Sequence, residues 1–153
     1  MTPAQWFTVA NQWALAGWGL LVAGLFLPQR WASPVLFFGG RVVPLGLCLA
    51  YLVAVLHWWG DSAGGFGSLD AVAQLFTSRG LLLAGWVHYL AFDLLLGRWQ
   101  VDRTLVAPNP VVRRWFVLPC LFATFMFGPA GLLLYLLVAL ISDRVAATRK
   151  RAP

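Results

Sequence analysis

Apolar residues run along this chain in four long blocks, not in the short periods of half-buried helices or strands. The blocks are Trp6 to Leu27, Val42 to Trp59, Leu81 to Leu96 and Trp115 to Ile141. A helix that crosses a bilayer needs about 20 apolar residues. The first and fourth blocks are comfortably long and the second is near the lower limit. The third reaches the interface if Arg98 snorkels outward. The pattern predicts an all-α integral membrane protein of one domain, with four transmembrane helices over residues 6–27, 42–59, 81–98 and 115–141. Tryptophans 6, 31, 58, 59, 99 and 115 stand at the block ends, as in the aromatic belts of a bilayer's two interfaces.

The connections are short. Loop one, Pro28 to Arg41, is broken by Pro28, Pro34, Gly39 and Gly40. If the second helix begins earlier, at the apolar Val35 to Phe38, Arg41 falls inside the membrane and becomes a functional candidate. Loop two, Gly60 to Gly80, holds a glycine-rich turn and then Ser68, which caps a helix with Asp70 in its first turn. Leu69, Val72, Ala73 and Phe76 share a face there, so a short interfacial amphipathic helix is expected before the third span. Loop three, Gly97 to Arg114, is basic and carries Pro108 and Pro110. Gly128-Pro129 predicts a kink within the fourth helix.

Composition sharpens the class. Hydrophobic residues make up 61% of the chain and charged ones 10%, against roughly 25% charged in soluble domains. No water-soluble core of this length hides so much apolar surface. The net charge is +6, and the cations stand between and after the apolar blocks. That placement suits anionic lipid head groups, not nucleic acid. The tail Arg149-Lys150-Arg151 reads as a solvated membrane anchor. Cys48 and Cys120 lie in apolar runs and make no disulfide framework. The first block lacks a basic leader and is too long for a cleaved signal. With four spans, cations divide evenly between the two sides and give no orientation.

Polar residues inside a spanning helix are costly, so each needs a reason. The third block is the richest in them, with His88, Tyr89 and Asp93 in Trp86-Val87-His88-Tyr89-Leu90-Ala91-Phe92-Asp93. An aspartate at helix centre costs about 2.5–3.5 kcal/mol, so it pairs, takes a proton or meets water. Tyr89, four residues before Asp93, shares its face. His88, five residues before it, lies about 140° round the helix and is not a tight local partner. Arg41, Arg98, Cys120 and Thr124 fall in the same half of the membrane as Asp93, and an ion pair from Arg41 or Arg98 to Asp93 is the expected match. Asn11, Gln12 and His57 fall in the other half, where Asn11 or Gln12 can hydrogen-bond His88. The plain alternative for all of these is interhelical packing, worth about 0.6 kcal/mol per polar contact. No zinc spacing, di-iron histidine box or nucleotide-binding glycine pattern is present, and the two histidines differ in depth too much for a haem.

The stretch Trp86-Val87-His88-Tyr89-Leu90-Ala91-Phe92-Asp93-Leu94, with Arg98, Cys120 and Pro129-Ala130-Gly131, resembles the abscisic-acid-deficient-four-like family. The resemblance covers about Leu69 to Leu134. Its plant members are plastid membrane proteins tied to neoxanthin formation, and its bacterial members imply a multi-pass place in a bacterial inner membrane. It implies an isomerisation in which an epoxide opens and a nearby carbon loses a proton, with no redox cofactor and no metal. Asp93 would then act as acid and His88 as base, with Arg98 holding Asp93. Trp86, Tyr89 and Phe92 would pack along a carotenoid or other isoprenoid, with Arg41, Cys120 and Thr124 as further substrate contacts. Two rivals stand beside this: a pigment- or lipid-binding module that supports another enzyme, and a small transporter relaying protons through His88 and Asp93. The transporter lacks the expected inverted repeat.

Overall fold

A computed structural model describes residues 1–107 and 110–151, without the side chains of 110–112, 143 and 145–151. Pro108 of loop three and the side chains of the basic tail lie outside the described residues. Helix is the regular structure of the rest, with no strand among the described residues. The helices are α1 (Pro3–Phe26), α2 (Gln29–Phe37), α3 (Val43–Trp58), α4 (Leu69–Leu75), α5 (Arg79–Leu105), α6 (Pro110–Phe127) and α7 (Pro129–Arg151). Among the described residues, three helical stretches are long and apolar enough to cross a membrane: Pro3–Phe26, Gln29–Asp61 and Arg79–Leu105.

Two expectations change here. Loop one is helical. α2 passes into α3 through a π-helical turn, Phe38–Val42, that holds Gly39, Gly40 and Arg41. The small residues that looked like a break instead let neighbours approach: a Cβ on Gly39 would meet Leu20 of α1, and one on Gly40 would run into the stem of Arg98. The wide turn is pinned from outside on both flanks. Arg98 donates to the Leu36 carbonyl, and Trp13 Nε1 donates to the Val43 carbonyl at 3.1 Å. These two side chains add donors from α5 and α1 to carbonyls on either flank of the widened turn.

The second change is at the end of the chain. The fourth block is two helices, not one kinked span. Gly128 has φ +45°, a left-handed conformation that stops α6, and Pro129 starts α7 at a position where a missing N–H costs nothing. The two helices fold back on each other. Gly131 abuts Thr124, and farther out Arg113, Phe116 and Val117 face Val138, Ala139 and Ser142.

α5 is the central helix, packed by α3, α1 and α6. Val87, Leu94, Gln100 and Val101 are fully buried along it, against Leu21, Leu25 and Leu47. The outer faces stay apolar: Leu45, Leu49, Leu52 and Leu56 form an exposed stripe along α3, and Leu133, Leu137 and Leu140 do so along α7. Continuous exposed stripes of this size fit contact with lipid and not water. α4 starts as its cap predicts, with Ser68 Oγ accepting from the Ala71 N–H at 3.1 Å. It runs seven residues, with Leu69 and Phe76 exposed and Leu75 turned inward.

Candidate functional site

Asp93 sits at mid-height of α5, ~21 Å along the axis from Arg79 and ~18 Å from Leu105 at 1.5 Å per residue. It is 5% exposed. The tip of the α6–α7 hairpin closes over it: a Cβ on Gly128 would fall 2.5 Å from Asp93 Oδ1. Tyr89, one turn earlier, lies on the same face of α5. Asp93 Oδ2 is buried with no hydrogen-bond partner.

Around this carboxyl lies a small polar seam between α5 and α6. Gln100 Nε2 donates to Thr124 Oγ1 at 2.8 Å, and that hydroxyl donates to the Cys120 carbonyl at 2.8 Å. Gln100 and Thr124 are fully buried, as is Cys120, and Gln100 Oε1 has no partner. The seam fixes the hairpin against α5, so Thr124 and Cys120 hold the lid of the site and do not face its mouth. Gln100 was missed in the sequence because Gly97 and Arg98 read as the end of the helix. Its position seven residues after Asp93 puts it on the same stripe, which is the signal that was there to find.

The predicted partner of Asp93 is elsewhere. Arg98 Nε pairs with Asp102 Oδ2 at 2.8 Å, and the same guanidinium caps Leu36. Residues 98 and 102 share a helix face, whereas 93 and 98 are about 140° apart. Arg41 also turns away, lying exposed with its guanidinium 5.9 Å from the Phe37 ring. An Asp102→Asn change is expected to cost under about 0.5 kcal/mol, as for exposed helix pairs. Arg98→Ala, which also orphans the Leu36 carbonyl, is expected to cost about 2 kcal/mol. Denaturant titration of the two purified variants in micelles checks the order.

His88 is exposed on another side of α5. Its ring stacks on Phe92 at 4.5 Å and meets Tyr51 edge-on at 5.3 Å. The structure therefore groups Asp93 with Tyr89 and Trp86, and groups His88 with Phe92. Asn11 bonds to Trp86 Nε1 at 3.2 Å and not to His88.

An apolar groove of about 630 Å³ opens beside Tyr89. Its walls are Phe7 of α1, Phe76 after α4, and Leu82, Leu83, Trp86 and Tyr89 of α5, with Arg79 at the outer end. From Arg79 to Tyr89 the groove follows α5 for ~15 Å. Trp86 forms ring contacts with Phe7 and Tyr89, each at 5.7 Å. The arrangement offers a long apolar slot whose inner end carries the Tyr89 phenol, one turn of α5 before the buried Asp93 carboxyl. Slots of this volume suit lipid-sized ligands.

No curated protein and no solved structure matches the chain. The family model described as ABA DEFICIENT 4-like matches residues 5–135, and the chain belongs to that family.

Proposed function

We propose that this membrane protein isomerises an epoxide-bearing isoprenoid of the carotenoid class by acid–base chemistry at Asp93. The observation that carries the reading is the buried, partnerless Asp93 Oδ2, one turn of α5 beyond Tyr89, where an apolar slot ends. The polyene lies along Trp86 and Phe7, entering sideways from the lipid. Protonated Asp93 gives its proton to the epoxide oxygen and the C–O bond breaks. The carboxylate then takes a proton from the adjacent carbon through its other oxygen, and a new carbon–carbon π bond forms. The proton is returned, so the mass is unchanged and no oxidant enters. Tyr89 holds the carboxyl during both transfers. Both steps fall to Asp93 in this reading because His88 stands on another side of α5. Exclusion of water by the hairpin tip strengthens each transfer. The test is to express the chain in a pigment-free host that accumulates epoxy-carotenoids. A new product of identical mass supports the reading. Pigment that co-purifies unaltered points to a binding module.

The same reading fixes a topology. α1, the α2–α3 helix and α5 cross the membrane, and α6–α7 enters from the α5 C-terminal side, turns at mid-depth beside Asp93 and leaves by the same side. All eleven lysines and arginines except Arg79 then fall on that side. The positive-inside rule makes it cytoplasmic. Reporter fusions are expected to place the N-terminus and the Gly64 loop outside and residue 151 inside. Both ends on one side would restore four spans.

A further inference from the structure

We infer that the face of α5 bearing His88 docks a second copy of this chain, with His88 and Tyr51 bonding across a two-fold axis. His88 lies ~14 Å along α5 from Arg79 and ~26 Å from Leu105 at 1.5 Å per residue. That is well inside a stretch long and apolar enough to cross a membrane. His88 is exposed there, and so are Phe92 and Leu95, which follow it along one stripe of the helix. An imidazole at this depth is costly against hydrocarbon, and such groups face protein or a water-filled cavity. The protomer alone leaves it short of partners. Its close neighbours are two rings, Phe92 at 4.5 Å and Tyr51 of α3 at 5.3 Å. Among the described residues, neither the imidazole nor the Tyr51 hydroxyl takes part in a hydrogen bond.

The choice of a second copy follows from the pairing of these groups. A phenol offers a donor and a neutral imidazole an acceptor, and here they stand side by side on one face. Such a face complements itself: about a two-fold axis, Tyr51 of each copy donates to the partner's His88. Lipid tails offer neither group. Phe92 and Leu95, 53% and 40% exposed, then pack against the other copy around the polar pair. The inference rests on the membrane placement above but not on the isomerisation, in which His88 takes no part, and the topology fusions test that placement separately.

The experiment counts fluorophore bleaching steps for the labelled full chain in lipid vesicles across a range of protein-to-lipid ratios. The wild type is expected to dimerise. H88L and Y51F each remove both symmetric bonds, so each should weaken the dimer about 10-fold. The double variant should be no weaker than either single one, because the same bonds are lost. L137A, on the outer face of α7, should change nothing. Should H88L not fold, Y51F removes a single oxygen and still reads the 10-fold loss. Oxidation should link F92C, and not L137C, into a covalent dimer. A wild type that stays monomeric at every ratio overturns the proposal and leaves the face to lipid or to a different protein. A dimer that H88L and Y51F do not weaken, or that L137C links instead of F92C, overturns it in favour of another interface.

Discussion

An Asp93→Asn variant folds, keeps its ligand and turns over at least about 100-fold more slowly. General acid–base groups contribute about 10²–10⁴-fold, and here one carboxyl carries both transfers. Asparagine has the same shape, so it fits under Gly128 beside Tyr89 without new contacts. Its amide neither gives nor takes a proton at useful rates. Burying a neutral amide in place of a carboxyl does not add charge to the interior, so stability stays near that of the wild type. The measurement is chromatography and mass spectrometry of pigments extracted from cells expressing each form, with bound pigment quantified in the purified protein. Full turnover by the asparagine variant would remove Asp93 from the chemistry. Unaltered pigment bound equally by both forms would leave a binding module, and proton-dependent flux in liposomes would favour a transporter.

Gly128→Ala should destabilise the protein by about 2–5 kcal/mol. A left-handed conformation costs a non-glycine residue about 1–2 kcal/mol, and Gly128 has φ +45°. The new Cβ would also press on the Asp93 carboxyl, and overpacking of this kind costs about 1–3 kcal/mol. The loss should appear as a lower unfolding midpoint in detergent. Under the proposed mechanism activity should fall with it, because the methyl displaces the carboxyl proposed to move the proton. A Gly19→Ala control meets open space and should be silent.

The class of the protein was legible because span-length apolar blocks admit few folds in so short a chain. Asp93 was legible for the same reason: a lone acid amid leucines stands out on cost alone. The end of the chain was not. Gly128-Pro129 suits a kink as well as a reversal, and only the packing of Gly131 on Thr124 decides between them. An earlier start of the second helix was legible in the apolar Val35 to Phe38, and the helix does take them in; its full start at Gln29 was not, because Pro34, Gly39 and Gly40 usually punctuate, whereas here the glycines make room for Leu20 and Arg98. The Arg98–Asp102 spacing of four was plain in the sequence. It was passed over because the deeper Asp93 offered the costlier charge to satisfy, and 140° of helix rotation was given too little weight.

The hairpin that covers Asp93 is synthesised after all three long helices. Until α6 and α7 dock, the central helix presents a bare carboxyl, with Gln100, to whatever surrounds it. Assembly of the site is therefore a late event in biogenesis. A nascent chain stalled before Pro110 would hold three inserted helices and an uncovered acid, which is the kind of defect membrane quality control removes. Burial of Asp93 and completion of the fold thus depend on the same docking step.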